Sequence, residues 1–171
     1  MNLRTVMFRA CFAMAVVTGM SAVATVVPAG RAAADGCPDV EVIFARGTGE
    51  APGVGRVGQS FIDALVPQLG GRSVGIFAVN YPASINFLTT AVGAGDAAGQ
   101  IANMVGQCPD SRLVLGGFSQ GAAVMAMLAG VPPVGTTIGS IGSAPPLRPD
   151  LVEKVSAVAV FGNPSARFGS P

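Results

Sequence analysis

Arg112-Leu113-Val114-Leu115-Gly116-Gly117-Phe118-Ser119-Gln120-Gly121-Ala122-Ala123-Val124 moves from a short apolar run, through two glycines, into a helix-forming stretch. A serine at such a strand-to-helix junction, within the pattern Gly-x-Ser-x-Gly, reads as a nucleophile elbow, with its hydroxyl raised above the carboxyl ends of the strands. The turn aims the first free amides of the following helix at the same point. The amide of Gln120 is thereby a candidate oxyanion donor for an attacked ester carbonyl. Ser119 as a simple helix cap is the competing reading. Glycine-rich chains produce the bare pattern by chance, so its position after a strand carries the weight.

The surrounding sequence supplies the rest of an α/β architecture. Val40–Ala45 and residues 74–79, 113–118 and 155–161 are apolar runs without alternation, which marks strands buried on both faces of a parallel sheet. Between them, residues 59–69, 89–107 and 122–128 carry helical spacing. A three-layer αβα sandwich with a mostly parallel central sheet follows. Residues 130–149 read mostly as loop, with a short strand near Ile138. Neither an internal repeat nor a second domain is visible.

Residues 1–34 contain Arg4 and Arg9, an apolar run over 10–27, and Ala32-Ala33-Ala34 before Asp35. They are read as a secretory signal peptide, followed by one domain over 35–171. An uncleaved membrane anchor is the alternative, but the Ala, Gly, Ser and Thr content makes a poor span. Removal of Arg4, Arg9 and Arg31 leaves seven basic residues against nine acidic ones. With no basic run, nucleic acid is not an expected partner. Export also explains the cysteines, because Cys11 leaves with the signal and Cys37 and Cys108 remain. Each stands just before a strand run, and parallel neighbours would bring the two together as a disulfide. The closed loop of about 70 residues would contribute about 4 kcal/mol.

Two features limit the chemistry. The first is Gly53-Val54-Gly55-Arg56-Val57-Gly58, which matches a dinucleotide fingerprint but starts well after its strand. No acidic residue follows at the spacing needed for a ribose. It is read as a flexible loop, and no cofactor is expected. The second is that the chain has no histidine. The usual general base for Ser119 is therefore missing, and with it any obvious metal site.

The chain resembles the cutinase-like serine esterases, a family of secreted cutinases and related bacterial lipases. The likeness rests on Cys37, Phe44-Ala45-Arg46-Gly47-Thr48-Gly49-Glu50, Cys108-Pro109-Asp110, Gly117–Ala122 and Val158-Ala159-Val160-Phe161-Gly162-Asn163-Pro164. It implies Ser119 as nucleophile, Gln120 and Thr48 as the oxyanion pair, and a Cys37–Cys108 disulfide. Thr48 also has a case of its own, in the loop after the first strand where an open parallel sheet collects ligand groups. Arg46 and Glu50, in the same loop, are expected to pair with each other and fix its shape. The family continues past the last strand to a catalytic aspartate and histidine, both absent from this chain. None of Asp39, Asp63, Asp96, Asp110 or Asp150 takes the aspartate's place, and Lys154 is the only lysine.

The expected product is a secreted esterase, free or attached to the cell envelope, acting on ester or lipid substrates as a monomer. A truncated or catalytically dead relative, lipid-binding or too decayed to fold stably, is the alternative. Without the final strand and helix, Val155–Phe161 is expected to be exposed and the chain poorly soluble.

Overall fold

The computed structural model describes residues 36–131, 142 and 144–164. The segments read as a signal peptide and as a strand near Ile138 lie outside these residues.

Four parallel strands form one sheet: β1 (Val40–Ala45), β2 (Val74–Ala78), β3 (Arg112–Phe118) and β4 (Val155–Phe161), in the order β2-β1-β3-β4. All six residues of β1 are buried. This is why the strand carries almost unbroken apolar sequence: helices cover it on both sides. Alternate side chains go to opposite layers. Ile43, Ala45, Leu113 and Leu115 pack on α2 (Thr90–Gln107) and α3 (Gln120–Leu128), through Ala94, Ala97, Ile101, Val124 and Leu128. Val40, Val42 and Val114 pack on α1 (Gly55–Leu65) through Ile62, with Phe61 and Leu65 alongside. The expected three-layer arrangement is present.

On the α1 face Phe44, Phe61 and Phe161 cluster with ring centroids 5.7–6.5 Å apart. Room for the Phe44 ring comes from Gly58 and Gly116, where an added Cβ would stand 2.7 and 2.3 Å from it. A disulfide joins Cys37 to Cys108. The two cysteines precede β1 and β3, which are direct neighbours, so parallel pairing brings the strand starts together as expected.

The helix expected over 59–69 is placed differently. It begins at Gly55 and ends at Leu65, and a 3-10 turn over Val66–Leu69 follows, with Pro67 inside it. Proline cannot continue an α-helical ladder, which accounts for the change at Val66. A short helix, α4 (Pro149–Val152), replaces the loop expected around Asp150. Among the described residues, no helix is long and apolar enough to cross a membrane.

Candidate active site

Ser119 sits between β3 and α3 with φ 52° and ψ −114°, a region that L-residues rarely adopt. Its neighbours explain how the chain holds it there. A Cβ on Gly117 would lie 2.2 Å from the Gly121 carbonyl oxygen, and a Cβ on Gly121 1.9 Å from that of Ala45. Both glycines of the pattern are therefore dictated by backbone-to-backbone approach. The Ser119 amide donates to the Phe161 carbonyl at 2.9 Å, which ties the turn to the end of β4. The Ser119 carbonyl accepts from the amides of Ala122 and Ala123, at 2.9 and 3.3 Å. Its side chain caps no helix amide, contrary to the capping alternative.

Thr48 meets this turn. Its hydroxyl donates to Gln120 Oε1 at 2.9 Å, and Gln120 Nε2 donates to Thr90 Oγ1 at 3.1 Å. Gln120 and Thr90 are fully buried. Gln120 thus has two constraints: its backbone opens α3, and its amide side chain spans from the loop after β1 to the first turn of α2. Thr90 gave no sign of this in the sequence, where it is one polar residue in an Ala/Gly-rich helix.

The loop that carries Thr48 is clamped by Arg46 and Glu50, though not as the ion pair expected. Arg46 Nε donates to the backbone carbonyl of Glu50 at 3.0 Å. Its remaining nitrogens donate to the carbonyls of Val79 and Tyr81, at 3.3 and 2.6 Å. The guanidinium also lies 5.2 Å from the Tyr81 ring centroid, while the Tyr81 hydroxyl donates back to the Arg46 carbonyl. Burial, aided by the Glu50 charge and opposed by Arg46, pushes the Tyr81 phenol up to about 12. The Glu50 carboxylate accepts from the amides of Gly47 and Arg56, at 2.7 and 2.9 Å. A further bond, from the Gly49 amide to the Ala83 carbonyl at 2.7 Å, pins the loop tip.

This clamp corrects the reading of Gly53–Gly58 as a flexible loop. Its second half is the first turn of α1, and the helix start, where a nucleotide phosphate would rest in a true fingerprint, is taken by the Glu50 carboxylate. A Cβ on Gly55 would lie 2.4 Å from Glu50 Oε2.

No described acid is poised as a base for Ser119. Asp39 is engaged by Ser73, Asp63 by Gln59, Asp96 by the Asn80 amide, and Asp150 by Arg148. The Ser73 bonds hold the Asp39 carboxyl below its usual range, as the Arg148 bond does for Asp150. Asp110 lies exposed in the turn before β3, at the far end of the sheet. Lys154 donates to the Pro109 carbonyl at that same end. Among the described residues, no group of three or more His, Cys, Asp or Glu could hold a metal ion.

The family model described as Cutinase matches residues 36–171. A probable carboxylesterase, Culp3, of Mycobacterium tuberculosis is 54% identical over 136 residues, which cover 80% of this chain and 50% of the relative. The phospholipase Culp4 of the same species is 49% identical, with 80% and 58% covered. A cutinase of Kineococcus radiotolerans is 42% identical, with 78% and 43% covered. The chain thus spans about half the length of the curated relatives it matches. Among solved structures, an acetyl xylan esterase superposes with a TM-score of 0.63 at 27% identity, covering 75% of this chain and 64% of the other. Trichoderma reesei cutinase, in complex with a phosphonate inhibitor, superposes at 0.60 with 36% identity, covering 79% and 55%. By sequence and by fold, the chain belongs to the cutinase family.

Proposed function

We propose that this protein is a secreted carboxylic ester hydrolase in which Ser119 forms an acyl-enzyme. The observation that carries the reading is the left-handed backbone of Ser119 at the β3–α3 junction. That conformation costs about 1–3 kcal/mol and persists where function selects it. In the reaction, Ser119 Oγ attacks the ester carbonyl and the carbonyl oxygen becomes an oxyanion. The Gln120 amide, unpaired within its helix because it opens α3, donates to that oxyanion. The Thr48 hydroxyl, whose single proton rests on Gln120 Oε1 in this structure, becomes the second donor by turning that proton onto the oxyanion. The oxyanion collapses, the C–O bond to the alcohol breaks and the Ser119 proton ends on the departing alkoxide. Water then hydrolyses the acyl-serine, releasing the carboxylic acid and restoring the hydroxyl. The general base and its carboxylate partner have no candidate among the described residues.

Lipid or polyester substrates are favoured by the kinship with a phospholipase and with cutinases. A second reading, a family member without turnover, rests on one specific observation: the sequence has no histidine. Losing the base of a triad costs several orders of magnitude, although oxyanion stabilisation retains some rate over water.

The naturally secreted protein, treated with a fluorophosphonate and weighed intact, decides between them. Ser119 phosphonylation on a mass longer than 35–171 identifies an esterase whose base lies beyond the sequence given. An adduct on the mass of 35–171 points to a base supplied within it. No adduct on that shorter mass overturns the esterase reading in favour of the inactive one.

A further inference from the structure

At the end of the sheet opposite Ser119, the starts of β1 and β2 and the second half of α2 enclose a cleft of about 820 Å³. Its lining includes Glu41, Gly75, Ile76, Asn103, Met104 and Gln107. Glu41 is the one charged residue of β1 and is only 6% exposed. Gln100 Nε2 donates to its Oε1 at 3.2 Å. Among the described residues no group donates to Oε2 and no ion pair reaches the carboxylate; no fully buried side-chain oxygen is left unsatisfied, so Oε2 stands open to the cleft. Gly75, the register partner of Glu41 on β2, makes the space: a Cβ there would stand 1.9 Å from Oε2.

A carboxylate mostly buried, with one oxygen open to a cleft, attracts a cationic donor there more strongly than a fully solvated one does. Here the fold supplies a single neutral amide, and burial pushes the Glu41 carboxyl above its usual range. Among the described residues, no lysine or arginine lines the cleft. Beyond Glu41 the rest of its lining is uncharged and includes the amides of Asn103 and Gln107, the Ser73 hydroxyl and the apolar side chains of Val74, Ile76 and Met104. A positive charge would complement Oε2, and the cleft has room beside it for an apolar stem.

We propose that this cleft binds a small organic cation, an ammonium or guanidinium on a short alkyl stem, through Glu41 Oε2. The N–H donors bond the carboxylate and the stem lies against Met104 and Ile76. The site is separate from Ser119 and does not depend on the esterase reading.

The test is a titration of the ¹⁵N-labelled full chain with butylguanidinium chloride, compared with sodium chloride at equal ionic strength. Saturating amide shifts at Gly75, Gln100 and Met104 are expected with the guanidinium alone. Glu41→Gln keeps the shape, removes the charge and should weaken binding at least about tenfold. Asn103→Phe, on the exposed side of α2, should obstruct the cleft without touching Glu41 and weaken binding as well. Shifts that fail to saturate, or that saturate equally in Glu41→Gln, overturn the proposal. Saturation by methyl glucoside but not by butylguanidinium overturns it in favour of a sugar site.

Discussion

Ser119 holds a strained conformation between two glycines that no larger residue can replace. Glycine at 119 would relieve about 1–3 kcal/mol of backbone strain and return about 0.5–1 kcal/mol through the greater freedom of the unfolded chain. Ser119→Gly is therefore expected to raise the unfolding free energy by about 1 kcal/mol in urea titrations while abolishing phosphonylation. A loss of stability would mean that the turn is not strained. Tyr81 offers a second test, since it is the only tyrosine in a chain without tryptophan and its ultraviolet titration reports one phenol. The phenol should ionise near pH 12 in the folded protein rather than near the ordinary 10. Its raised value means that the unfolded chain releases the proton first. Stability should therefore be unaffected by this group below about pH 10 and fall as pH rises from there through 12. Ionisation at the ordinary value would show that water reaches the ring and that the Arg46 clamp is open.

Elements are positioned here by their ends. The Cys37–Cys108 bridge holds the starts of β1 and β3 together across a separation of 71 residues. Replacing both cysteines with serine should lower the unfolding free energy by about 4 kcal/mol, measured by denaturant titration. A change below about 1 kcal/mol would show that strand pairing alone keeps the two ends together in the unfolded ensemble. The start of α1 was harder to read. No side chain caps Val54 in the usual way, and the helix starts because Glu50, six positions before Arg56, returns its carboxylate to the Arg56 amide. A capping rule that inspects only the residue before a helix cannot see that bond, so the glycines looked like loop.

Among the described residues the sheet is open on both sides, with β2 and β4 as its edges. β4 is an edge strand with no charged residue, and Val158 and Val160 are 50% and 44% exposed. Uncharged edges of this kind pair with further strands, and lysine is the usual protection against it. Val158→Lys should therefore reduce self-association in light scattering, with the melting temperature nearly unchanged. Equal association in the variant would place the sticky surface elsewhere.

The alternation of strands and helices, the elbow at Ser119 and the pairing of Cys37 with Cys108 were legible in the sequence. Each follows from short-range pattern: buried parallel strands are apolar throughout, a tight turn needs its glycines, and adjacent parallel strands start side by side. The roles of Arg46, Glu50, Tyr81 and Thr90 were decided only by tertiary structure. Gln120 is held by residues 72 and 30 positions away, and Glu41 meets Gln100 across 59. Side chains so far apart along the chain leave no local period or spacing. Which buried polar group finds which partner is settled only when the layers close and water is removed from between them.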